Sequence, residues 1–256
     1  MADARALVDR MRLMTRARVR LGRSGAGLPT AALLAFDLDH SRARDAVQAE
    51  LSDNALADLT GPSIRVRSRA ADRATYLRRP DLGRMLNPDD EALLRPAGDT
   101  LAIVVADGLS ARAVEVHAAP LVTALFDRLS TWHIAPLVIA RQARVAIGDA
   151  IGGLLGVDLC VVLIGERPGL SAPDSLGAYL TWSPRPGRLD SERNCVSNIR
   201  PPQGLSYADA ADTIVRLLQA ARACKKTGIT LKDQEDPRLS GPSANLSRNM
   251  RGIENG

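Results

Sequence analysis

The sequence predicts an α/β protein in which a helical N-terminal region is followed by a Rossmann-like, mostly parallel sheet domain. Two observations carry this reading. Up to about Pro96 the chain is rich in charge and helix formers and shows no alternating strand pattern. Beyond it, the short aliphatic runs LAIVVADG (Leu101 to Gly108), PLVIA (Pro136 to Ala140) and LCVVLI (Leu159 to Ile164) alternate with segments of helical periodicity. Continuous aliphatic strands joined by helices form parallel sheets covered on both faces. Residues 1–96 are therefore read as a helical and irregular region, 97–232 as the α/β domain and 233–256 as a polar, disordered tail.

The elements follow in order. Within ARALVDRMRLMTRARVRLGRSG, Ala4 to Gly25, Leu7, Met11 and Met14 stand at helical spacing. That is an amphipathic helix packed on its own chain or on another subunit, and it competes with a basic nucleic-acid-binding arm. Asp3 and Asp9 argue against a transit peptide. Shorter periodic segments lie around Ala43 to Leu51 and Pro88 to Leu94. Ser110 caps a helix with Val114, Ala118, Leu121, Leu125 and Leu129 on one face, and Pro120 leaves its first turns unsettled. A second helix carries Ile147, Ile151 and Leu155 and stops at Gly156, completing a βαβαβ unit. A further strand is expected at Leu176 to Trp182, and loop from Trp182 to Gly204. Ser206, followed by Asp209, opens a last helix with Ala211, Val215 and Leu218 inward.

Composition bounds the function. A chain of 256 residues, 45% hydrophobic, buries a substantial core. Its longest apolar run, Leu159 to Ile164, is far short of the roughly 20 residues that span a bilayer, and no secretory-type apolar stretch follows Met1. No membrane association and a cytoplasmic location are expected. Cys160, Cys195 and Cys224 form no CxxC pair, which suits a reducing compartment. Aromatic content of 3% leaves few rings for stacking bases, so no nucleic-acid partner is expected, although the net charge of +5 owes much to the early arginines.

Ligands of open parallel sheets bind beyond the carboxyl ends of the strands, where ADGLS (Ala106 to Ser110) and GERPG (Gly165 to Gly169) fall. Glu166 there offers an acceptor for amide or hydroxyl donors; equally, Glu166 and Arg167 are an exposed turn pair. GDAIGG (Gly148 to Gly153) is spaced unlike GxGxxG, and GxxxxGK[ST] is absent. His40, His117 and His133 lack metal-ligand spacing, so no metal site is assigned. Cys195, in a polar loop beside Arg193, has no accompanying base, so a structural or ligand contact is favoured over a nucleophile. No catalytic residue is assigned, which points to a subunit that binds a reactive cofactor. The alternative is a stand-alone nucleotide- or nucleic-acid-binding α/β protein.

The succession TRARVRLGRSG (from Thr15), LLAFDLDHSRARDAV (from Leu33), YLRRPDLGR (from Tyr76), VVADGLS (from Val104), RVAIGDAIG (from Arg144), VVLIGERPGL (from Val161) and NCVSNI (from Asn194) resembles the small (light) subunit of ethanolamine ammonia-lyase. The resemblance runs in order from Met14 to Leu231. It implies an adenosylcobalamin enzyme that converts ethanolamine to acetaldehyde and ammonia. A large TIM-barrel subunit would hold the substrate, and this chain would close over the corrinoid. The family's cobalamin contacts map onto Val145, Glu166 and Cys195. The arginine-rich segments TRARVRLGRSG and YLRRPDLGR are assigned to the large-subunit interface. No DxHxxG motif is present, since His40 directly follows Asp39, and the resemblance implies a base-on cofactor. Family members often carry an N-terminal extension associated with packaging into a bacterial microcompartment. This chain opens only a short way before RARV, so packaging is not expected.

Overall fold

In the computed structural model, which describes residues 2–14, 21–52, 56 and 62–231, one six-stranded sheet organises the chain. The strands are β1 (Ser63–Arg67), β2 (Leu101–Ala106), β3 (Leu137–Arg141), β4 (Leu159–Gly165), β5 (Leu176–Trp182) and β6 (Arg193–Ile199). Their order is β1-β3-β2-β4-β5-β6. The first four are parallel, while β5 and β6 pair antiparallel. Along β2, Leu101, Ile103 and Val105 enter one core and Ala102, Val104 and Ala106 the other, so the strand is buried on both faces. Helices α4 (Ala111–Arg128) and α6 (Tyr207–Cys224) cover the first face; α5 (Ile147–Leu155) covers the second. Ahead of the sheet lie α1 (Ala2–Met14) and α2 (Thr30–Gln48), with α3 (Arg73–Arg78) after β1.

Local chemistry sets the helix ends as expected. The Ser110 hydroxyl accepts from the Ala113 N–H at 3.2 Å, and Ser206 accepts from the Asp209 N–H at 3.1 Å. Gly156 closes α5 in the left-handed region at φ 69°. Helix α4 runs through Pro120 without a break. In GDAIGG the glycines let α5 lie close to its neighbours, since a Cβ at Gly148 would fall 2.4 Å from Val162 Cγ2. That motif is packing rather than a phosphate loop.

Two expectations are corrected. A strand, β1, stands before Pro96 where only helical and irregular chain was expected. SIRVR is short and half-charged, and of its residues only Val66 is fully buried, so its signal was lost among neighbouring charges. Cys195 lies on strand β6, not in a loop. In β6 burial falls on Arg193, Val196 and Ile199, at intervals of three, and a register shift interrupts its pairing with β5, so no two-residue alternation was visible. The segment Thr15 to Arg20 and the expected disordered tail lie outside the described residues.

The strand order reverses at β2: the chain passes through α4 to β3 on one side, then crosses through α5 to β4 on the other. A crevice therefore opens where β2 and β4 end. There the loops touch backbone to backbone. The Leu109 N–H donates to the Gly165 carbonyl at 3.0 Å, and a Cβ at Gly165 would sit 2.1 Å from the Ser110 carbonyl oxygen. Gly165→Ala should therefore destabilise the chain by about 3 kcal/mol, because backbone cannot retreat as a side-chain tip does. Urea unfolding measures this.

The exposed edge of β1 is closed by Asp90, which accepts from the Arg67 backbone N–H at 2.7 Å and from its guanidinium at 3.1 and 3.2 Å. The Arg67 side-chain hydrogen bond holds the Asp90 carboxyl below its ordinary value. Its stabilisation is thus complete above the unfolded pKa of about 3.9 and is lost as pH falls through the depressed folded value. Asp90→Asn should remove that part of the acid-end slope in a stability–pH series.

Candidate functional site

At the end of β2, Asp107 is 1% exposed and collects three amides. One oxygen accepts from the N–H of Gly108 and of Ala143, both at 2.9 Å; the other accepts from the Gln142 N–H at 2.8 Å. Burial pushes this carboxyl upward, against those amides and the charge of Arg73. Every close partner donates, so the group serves purely as an acceptor. The clamp turns the chain sharply after β3, with Gln142 at φ 51°, and delivers Arg144 and Val145 to the crevice.

Glu166, at the end of β4, is also held by its own chain. Ser175 Oγ donates to Oε2 at 2.5 Å, Ser197 Oγ donates to Oε1 at 2.7 Å, and the Asn198 N–H donates to Oε2 at 3.2 Å. A Cβ at Gly177 would come within 2.9 Å of Oε1, so β5 is free of side chain where the carboxylate lies. Glu166 is half-buried and Arg167 exposed. The turn-pair reading therefore fails for Glu166, whose partners are serines and an amide.

Between these loops opens a cleft of about 430 Å³, walled by Tyr76, Arg144, Val145, Glu166, Arg167 and Tyr179 among others. Of the three predicted contact residues, Val145 and Glu166 line it. Cys195 does not, but it stands cross-strand from Tyr179, one strand beyond the wall. Another cavity of about 420 Å³, between Arg84 and Arg188, contains none of the three.

Cys195 is exposed, and its thiol is nonetheless pushed upward, by partial desolvation first and by the Glu166 charge, with Tyr179 hydrogen bonding opposing. Solvent contact limits the size of that push. Arg193 does not activate it. Its guanidinium forms a buried bidentate pair with Asp149, both bonds 2.7 Å, and donates to Thr181 Oγ1 at 2.9 Å. His117 is buried against the Tyr207 hydroxyl, 2.8 Å from Nδ1, while His40 and His133 are exposed.

Sequence reasoning missed Asp107, Arg144, Tyr76 and Tyr179. Asp107 carried a usable signal, an acid directly after a fully apolar strand and before glycine. Tyr179 carried none, because its place beside Cys195 depends on the antiparallel pairing of β5 with β6.

A doubly wound sheet with acceptor, apolar and cationic side chains converging where its strand order reverses defines an α/β protein with a candidate ligand crevice. More particularly, the chain belongs to the ethanolamine ammonia-lyase light chain (EutC) family, whose model matches residues 5–232. It is 51% identical over 248 residues to the ethanolamine ammonia-lyase small subunit of Azotobacter vinelandii, with 91% of each chain covered. It is 56% identical over 238 residues to that of Bradyrhizobium diazoefficiens, covering 89% of this chain and 91% of the other.

The clamp yields a direct test. Asp107→Asn replaces one acceptor oxygen by a donor facing N–H groups, and should cost about 3 kcal/mol in urea unfolding. Asp107→Glu, longer by a methylene in a filled site, should recover only part of that loss.

Proposed function

We propose that this chain is the cofactor-contacting small subunit of an ethanolamine ammonia-lyase, acting with a large TIM-barrel subunit on ethanolamine, in the cytoplasm, to give acetaldehyde and ammonia. The observation that carries the reading is the convergence of Val145 and Glu166 in one cleft at the strand-order reversal, with Cys195 one strand away, in a chain of this family. The residues suit a corrinoid. Its rim of amides offers N–H donors, and Glu166 Oε1 takes only the Ser197 hydroxyl of the contacts that define its tether, leaving room for another donor. Val145 and the Tyr179 ring present apolar surface for the ring system. When bound base-on, adenosylcobalamin supplies radical chemistry through its cobalt–carbon bond. This chain positions the group, covers one side of it and keeps water away. Substrate binding and the reacting atoms are assigned to the larger partner.

Exposed apolar surface supports the partner. Leu7 is 57% exposed on α1, and Leu34 is 62% exposed on α2, where Leu33, Phe36 and Leu38 are also open. Such a concentration on two helices suits a protein interface.

Co-purification with the large subunit and addition of adenosylcobalamin should give acetaldehyde from ethanolamine. An assembled pair without that activity overturns the reading, as does salt-sensitive DNA binding by the chain alone with no cobalamin binding by the pair. Glu166→Ala should weaken cobalamin binding to the pair by roughly ten- to a hundredfold, with Glu166→Gln intermediate, measured by equilibrium dialysis. Turnover at saturating cofactor should largely recover in both. Leu34→Glu should weaken assembly in sedimentation experiments while leaving the sheet domain's unfolding unchanged.

A further inference from the structure

Arg144 has a role that the contacts assigned above leave unused. Its guanidinium lies 4.3 Å from the centroid of the Tyr76 ring, and Arg73 approaches the same ring at 4.8 Å. Tyr76 is fully buried, and its hydroxyl donates to the Ala143 carbonyl at 3.2 Å, so the ring is a fixed platform for two cations. Of the two, Arg73 is engaged with the Gly108 and Val47 carbonyls, both at 2.8 Å. Burial, with repulsion from Arg144 added, pushes Arg73 below its ordinary value, and Asp107 opposes this. Arg144 lines the cleft itself. Its backbone N–H is tied to the Gly83 carbonyl at 2.8 Å, its Nη2 makes only a 3.5 Å approach to the Tyr76 carbonyl, and its buried Nε has no acceptor.

The charges of the cleft do not balance. Among the described lining residues Arg144 and Arg167 are cations and Glu166 is the one carboxylate, so positive charge is in excess. A guanidinium held over a buried ring is preorganised for an anion that presents two oxygens to it, as a carboxylate or a phosphodiester does. We propose that Arg144 is an anion-binding residue of this cleft and that it holds a phosphate group, supplied by the nucleotide loop of the bound corrinoid. This rests on the cofactor reading above. A base-on corrinoid has neutral amide side chains around its ring and one phosphodiester, so that group is the anion available to Arg144. A free nucleotide offers the same chemistry from another source.

The test compares ligands that differ in the phosphate, with binding as the readout. Cyanocobalamin and dicyanocobinamide, which lacks the nucleotide loop and its phosphate, are titrated into the assembled two-subunit protein carrying wild-type Arg144, Arg144→Lys or Arg144→Gln. Arg144→Gln should weaken cyanocobalamin binding about ten- to a hundredfold and leave cobinamide binding unchanged, with Arg144→Lys between. Unchanged cobinamide binding also shows that the variant is folded. Equal weakening of both ligands, or of neither, overturns the assignment, as does weakened subunit assembly with the ratio of the two affinities preserved. If wild type binds neither corrinoid but binds ADP in an Arg144-dependent way, the anion site stands, its source is the free nucleotide, and the cofactor reading fails.

Discussion

Asp107 stands at the carboxyl end of the central strand and draws together N–H groups from its own turn and from the turn after β3. Burying a carboxylate costs several kcal/mol unless its acceptor positions are filled, and here three amides and the field of Arg73 fill them. An apolar replacement would leave those amides facing nothing. Because Arg144 and Val145 follow Ala143 directly, the carboxylate also decides where α5 begins and which side chains reach the crevice. The cleft is therefore placed by a polar contact rather than by the apolar packing that stabilises the rest of the sheet.

A similar arrangement explains why an aliphatic strand ends in GERPG. β4 is the last strand paired in parallel, and the sheet continues through two antiparallel pairings whose turns need fastening to it. Glu166 does this by accepting from Ser175 just before β5 and from Ser197 and Asn198 near the end of β6. The same carboxylate is thus tether and candidate contact. Its orientation is fixed before any ligand arrives, which reduces what binding must spend on ordering it.

Much of this was legible from aliphatic periodicity. The runs at Leu101, Leu137 and Leu159 and the caps Ser110, Ser206 and Gly156 fall where burial on both faces and simple backbone needs place them. The strands that escaped notice, β1 and β6, are edge strands, and an edge strand wets much of its length, so its sequence loses the alternation on which recognition depends. The site was legible only in part. Glu166 adjoins a strand end, where sheet geometry points to it; Val145 came from family likeness alone, and Cys195 drew notice as a thiol beside Arg193 but was placed in a loop, because its position depends on pairing that the local sequence does not encode. Arg144 and Tyr76 are 68 residues apart in the chain, and their stacking is a tertiary fact without a local signature.

Cys195 gains its fixed position from a third polar fastening. β6 is an edge strand with a register shift, and apolar contact from Val196 and Ile199 alone would let it slide. Arg193 opposes sliding by a bidentate pair with Asp149 on α5, with Thr181, the Arg188 carbonyl and Asp190 taking its remaining donors. A buried ion pair contributes little net stability compared with apolar side chains of equal volume, but a one-residue slip would strand both charges. The pair thus selects register more than it adds stability. Since α5 begins beside Val145, it also locks the strand carrying Cys195 to the helix that follows Val145. Two carboxylates, Asp107 and Glu166, and the Arg193–Asp149 pair thereby fasten separate chain segments around one surface through contacts made within the chain itself.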